Sequence, residues 1–122
     1  MEWAGWDYVV SAAVEAPPPD SYSDKRSLHV MLDDEDIDWK TNLVWTQAVL
    51  STARKVAEKV AEGKKVLVAC HHGWNRSSLI AALAMRYLGA TPAQAIAQIR
   101  GTRGVEALNN GSFEKAVRKL TL

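Results

Sequence analysis

Cysteine is nearly absent from this chain. Cys70 stands alone in 122 residues, so no internal disulfide can form and nothing points to an oxidising compartment. Long apolar runs are missing as well: no stretch approaches the roughly 18 residues of a membrane span, and no signal peptide is visible. A soluble, cytoplasmic protein without membrane partners is the expectation. Charge of one sign is also lacking, with Lys and Arg at 15 against Asp and Glu at 14 and a net charge of +1. That balance gives no general attraction to nucleic acid, so any anion specificity must be local. Besides the adjacent His71 and His72 there is only His29. Without a second cluster of Cys or His, neither a closed zinc site nor any other cofactor is expected. No internal repeat occurs, and Pro17-Pro18-Pro19 is the only low-complexity tract.

What is present is an ordinary globular balance, 48% hydrophobic and 24% charged, and a length that suits a single domain over residues 1–122. Five tryptophans, at 3, 6, 39, 45 and 74, read mostly as packing, with Trp74 the one placed to meet a substrate. Asp7–Ala13 (DYVVSAA) predicts a buried strand, and the turn-rich stretch at 15–27 an exposed loop. Leu28–Leu32 (LHVML) predicts a second strand, running into D-D-E-D-I-D. Residues 42–62 predict a helix with Trp45, Val49, Thr52, Val56 and Val60 on one face and Gly63 as its stop. Lys65–Ala69 predicts a buried strand, and Ser77–Leu88 a central helix closed by Gly89. Thr91-Pro92 opens a third helix with a cap residue and a proline at its first position. Ser112–Leu120 is the fourth, with Phe113, Ala116, Val117 and Leu120 on one side.

This order predicts an α/β domain, a mostly parallel central sheet with helices on both faces. The strands at 28–32 and 65–69 are expected to be parallel neighbours. Ligands of such sheets sit beyond the carboxyl ends of the strands, where the acidic run and the Cys70 loop both fall.

Residues 66–78 read V-L-V-A-C-H-H-G-W-N-R-S-S: an apolar strand, a five-residue loop and a helix start. Backbone N–H groups of such a loop converge with the unpaired donors and positive dipole end of the helix, which is an anion-binding geometry. Gly73 frees the loop backbone, and Arg76 can grip phosphate or sulfate oxygens in two-pronged fashion. The same donors stabilise a thiolate, so Cys70 is expected to be a nucleophile aimed at a bound oxyanion.

C-H-H-G-W-N-R-S resembles the C-x-x-G-x-x-R-[ST] signature of the cysteine-dependent protein tyrosine and dual-specificity phosphatases. The resemblance runs from about Trp6 to Phe113, with the loop its specific part. It implies a phosphatase fold and phosphate-ester hydrolysis through a phosphocysteine on Cys70. It further implies that Arg76 and the amides from His71 to Arg76 (His71, His72, Gly73, Trp74, Asn75) hold the phosphoryl group, and that Ser77 helps the thiolate leave. Two features depart from the family pattern: Ala69 stands where a histidine is usual, and the opening strands are missing or shortened.

The resemblance also implies a general acid about thirty residues before the cysteine. Asp34 fits the strand-then-Asp pattern, Asp38 the spacing, and Asp33 and Asp36 are neighbouring candidates; Asp34 is the choice here. Asn109 falls where a polar residue braces the phosphate loop in the resembled enzymes, with a helix cap or turn role as an equal alternative. Arg100 and Arg103 read as solvated surface arginines, with a second substrate anion as the rival role. Phosphorylated protein is the expected substrate. G-x-N-R-S, with Asn75 before Arg76, also resembles RNA 5′-triphosphatases of the same superfamily, and Ala69 motivates a third reading as an inactive phosphate binder. Nothing in the sequence speaks to oligomeric state.

Overall fold

Three short strands and four helices are found among the described residues. The computed structural model describes residues 5–13, 17–18, 22, 25–70 and 74–122. Most of the expected loop at 15–27 therefore lies outside the described residues. The strands are β1 (Tyr8–Ser11), β2 (Ser27–His29) and β3 (Val66–Ala69), and the helices α1 (Leu43–Ala61), α2 (Arg76–Tyr87), α3 (Pro92–Arg103) and α4 (Gly111–Lys119).

All pairing is parallel, with Ser11 opposite both His29 and Ala69, so the carboxyl ends of the strands line up. The order is β2-β1-β3. The strands at 28–32 and 65–69 are therefore not the parallel neighbours that the crossover between them predicts, because β1 lies between them. The reason is burial. Every residue of β1 is buried, whereas the three of β2 are only half-buried, so the most buried strand takes the centre and β2 an edge.

Helix boundaries follow local chemistry. The Asn42 side chain accepts from the Trp45 N–H at the start of α1, and Gly63 follows its end at φ +84°, a conformation glycine adopts without steric cost. At α3 a full capping box forms, Thr91 Oγ1 accepting from Gln94 N at 3.1 Å while Thr91 N donates to Gln94 Oε1 at 2.9 Å. Val49, Thr52 and Val56 of α1 are buried as expected, but Val60 in the last turn is exposed.

One buried cluster draws on all four helices and on Tyr8, Val10, Val68 and Cys70 of the sheet. These are alternate positions and share a face. α1 packs on α2 and both touch β3. Both faces of β1 are covered, since Val9 and Ser11 on the side opposite Tyr8 and Val10 are also fully buried. The α/β class, the parallel sheet and the single core stand. No helix among the described residues is long and apolar enough to cross a membrane.

Candidate active site

Cys70 follows β3 directly, is 6% exposed, and its Sγ lies 3.2 Å from Ser77 Oγ in the first turn of α2. Strand end and helix start are thus joined through the two side chains that the loop brackets. His71, His72 and Gly73, the expected loop wall, lie outside the described residues. Arg76 opens α2, and its Nη1 donates to the Leu32 carbonyl at 3.3 Å. That bond ties the helix start to the segment that leads into the acidic run.

Trp74 is 43% exposed beside the loop, and its carbonyl accepts from Leu108 N at 2.6 Å. Leu108 has φ +62°, a left-handed conformation that costs a branched residue free energy. It is held there by full burial and by Arg100, whose Nε donates to the Ala107 carbonyl and Nη2 to the Leu108 carbonyl.

Asn75 is buried and acts as a hub. Its Nδ2 donates to Asp34 Oδ2 at 2.9 Å and to Asn109 Oδ1 at 2.8 Å, and its Oδ1 accepts from Asn110 N at 2.9 Å. Asn110 Nδ2 donates to the other Asp34 oxygen at 2.8 Å and to the Glu35 carbonyl at 2.7 Å. The same Asn110 caps α4, its Oδ1 accepting from Ser112 N and Phe113 N. Three loops therefore meet on amide side chains: the Cys70 loop, the acidic run and the α4 start. Asn109 reaches the loop through Asn75. Asn110 went unremarked in the sequence, where an Asn before a helix signals a cap and nothing more.

The other acids differ in setting. Asp38 Oδ1 accepts from Lys40 N at 3.0 Å and its carbonyl from Asn42 N, a turn role. Asp33 and Asp36 are exposed, as Asp34 is, so partners rather than burial set Asp34 apart. Asp34, Asp36 and Asp38 share a groove of about 1040 Å³ with Asn75, Lys115 and Lys119, so this groove opens beside the Asp34–Asn75 contact.

Arg100 and Arg103 are both partly buried rather than solvated surface residues. Arg103 Nη1 donates to Ser77 Oγ at 2.8 Å and Ser78 Oγ at 3.2 Å, and Nη2 to the Val68 carbonyl at 3.4 Å. Burial pulls its guanidinium below the usual arginine range, while the charge of Cys70 pushes it back up. Sequence carried no signal for this placement, since a helix-end arginine is ordinarily solvated.

The arrangement suits phosphate chemistry. A buried thiol precedes a helix N-terminus, a loop joins them, and a guanidinium stands at the helix start. Comparisons with known proteins agree. The chain matches solved structures at fold level. The tyrosine phosphatase OH1 from the Orf virus, described as having triple substrate specificity, shares 21% identity at a TM-score of 0.62, covering 92% of this chain and 68% of its own. A point variant of human DUSP28 shares 23% at 0.56, covering 93% and 79%. No curated protein matches the sequence. A family model of the myotubularin-like phosphatase domain matches residues 10–92, well over half of the 122. The chain belongs to this myotubularin-like phosphatase family, within the cysteine-dependent phosphatases of the tyrosine and dual-specificity superfamily.

Proposed function

We propose that the protein hydrolyses phosphate monoesters, with phosphorylated protein as substrate, through a phosphocysteine on Cys70. The observation that carries this reading is the 3.2 Å contact of Cys70 Sγ with Ser77 Oγ at the seam of β3 and α2. It gives a thiolate a hydrogen-bond partner beside a helix N-terminus.

In the first step the Cys70 thiolate attacks phosphorus in line, and the S–P bond forms as the bond to the leaving oxygen breaks. Arg76 and the loop amides hold the equatorial oxygens. Asp34 delivers a proton to the leaving oxygen, so the product departs as an alcohol or phenol. Both Asp34 oxygens accept amide N–H groups, yet each keeps a second lone-pair position from which a proton can be carried. In the second step water attacks phosphorus and gives a proton to Asp34. The S–P bond breaks, and inorganic phosphate leaves with the thiolate restored. Ser77 hydrogen-bonds that departing sulfur.

The test is p-nitrophenyl phosphate turnover by wild type and Cys70→Ser, alongside a phosphotyrosine peptide and triphosphate-ended RNA. Cys70→Ser is expected to lose at least about 10³-fold in kcat, and the peptide to outcompete the RNA. Full activity in the mutant would sink the mechanism. Preference for RNA would favour the triphosphatase reading that Asn75-Arg76 suggests, and phosphate binding without turnover in wild type the inactive module.

A further inference from the structure

Cys70 is buried, and a buried thiolate needs positive charge or hydrogen-bond donors to be stable. Position 69 offers neither, being Ala69 at 8% exposure. The described residues provide a different source. Arg103, the last residue of α3, reaches across to α2 and β3 and contacts Ser77, Ser78 and the Val68 carbonyl. Ser77 and Ser78 are both 0% exposed, so the guanidinium meets them away from solvent, where a charge acts strongly.

The proton accounting is restrictive. A guanidinium only donates, so Arg103 occupies a lone pair of Ser77 Oγ. Ser77 retains its own proton to give. When Cys70 is a thiol, its S–H donates to Ser77. When Cys70 is a thiolate, the Ser77 O–H turns and donates to sulfur, with Arg103 strengthening it as a donor. We propose that Arg103 is a positioning residue for this phosphatase: through Ser77 it stabilises the Cys70 thiolate, as nucleophile and as leaving group, from the side of α3. The inference rests on reading Cys70 as the nucleophile. The Cys70 charge also holds the Arg103 guanidinium up against its burial.

A purely structural role would be a staple joining α3 to α2 and β3. Alkylation separates the two, because the chain holds one cysteine and iodoacetamide uptake by the full chain reports Cys70 alone. His71, His72 and Arg76, the other titratable or charged groups of the loop, stay intact in every arm. Arg103→Met is expected to slow alkylation at pH 7 about tenfold, the effect of a lost unit charge in a partly solvated setting. At pH 10, where accessible thiols ionise regardless, its rate should match wild type. Arg103→Lys should recover part of the neutral-pH rate, since it restores charge without the fork. Ser77→Ala should slow alkylation too, and adding Arg103→Met to it should cost less than in wild type, because both act on one path. On p-nitrophenyl phosphate, Arg103→Met should lower kcat and leave KM within about twofold.

A folded Arg103→Met protein that alkylates at the wild-type rate at pH 7 would overturn the proposal. Should that variant not fold, Ser77→Ala decides: a wild-type rate there removes the path from Arg103 to sulfur. The underlying reading fails separately, by hydrolysis surviving Cys70→Ser whatever the alkylation rates are.

Discussion

At the scale of single residues, Asn75 and Asp34 show how little of a side chain's role lies in its own position. Asn75 uses both donor and acceptor ends on Asp34, Asn109 and Asn110. Asn75→Ala therefore strands several polar groups at once, and about 1–3 kcal/mol of stability should be lost, read from urea denaturation; a smaller change would mean that water replaces the amide. Asp34 is expected to matter through the leaving group. Asp34→Asn should slow hydrolysis of phenyl phosphate by about 10²-fold but that of p-nitrophenyl phosphate, whose leaving group needs less help, much less. Asp38→Asn should leave that ratio unchanged, because Asp38 serves a turn. The reverse pattern would move the acid to Asp38 and leave the phosphatase intact.

At the scale of elements, α4 is the platform on which the acidic run rests. Trp39 Nε1 donates to the Ser112 carbonyl at 2.7 Å, Ile37 N donates to Ser112 Oγ at 3.0 Å, and Asn110 caps the helix while holding Asp34. α3 is joined to α4 by Arg100 and Glu114 at 2.5 Å, with Arg118 of α4 against the other Glu114 oxygen at 3.5 Å. The hydrogen bond from Arg100 comes first among the causes that hold the Glu114 carboxyl below the usual range. A carboxyl depressed in the folded state contributes stability above its unfolded pKa and loses it as pH falls through the folded value. The pair is about one-third exposed, so solvent screening limits it to about 1 kcal/mol. Glu114→Gln should thus lower the thermal midpoint at neutral pH and match wild type in acid, below the ordinary glutamate range. An equal deficit at both pH values would assign the loss to packing instead.

At the scale of the whole molecule, the described residues share one core, and Phe113 is the largest fully buried side chain among them, packed on Trp39 at 6.0 Å between ring centroids. Phe113→Ala should cost about 3–5 kcal/mol, a large part of the roughly 5–15 kcal/mol that holds a domain of this kind. Because one cluster links sheet and helices, the loss should appear as a single transition at a lower denaturant midpoint with an unchanged slope. Two separated transitions would contradict a single core.

Much of this could be read from residues alone wherever the cause is local. Gly63, Gly89 and Thr91-Pro92 mark helix ends through backbone angles and capping over a few residues. The apolar run before Cys70 and the helix that starts at Arg76 were legible for the same reason. Strand order was not legible, because helix-linked strands signal parallel direction and not which strand takes the centre; the burial of Tyr8–Ser11 decides that. Nor was the partner of each helix, since the apolar faces of α1 and α2 say that they are buried and not against what.

By itself the sequence determined the class of fold, the helix limits and the placing of a thiol at a strand end with an arginine at the next helix start, all consequences of geometry within a dozen residues. Only the tertiary structure decided which distant groups serve that loop. Arg103 meets Ser77 across 26 positions and Asn110 meets Asp34 across 76. Such contacts arise from helices packing to bury apolar surface, a non-directional force that brings polar side chains together without leaving a mark on their neighbours in the chain.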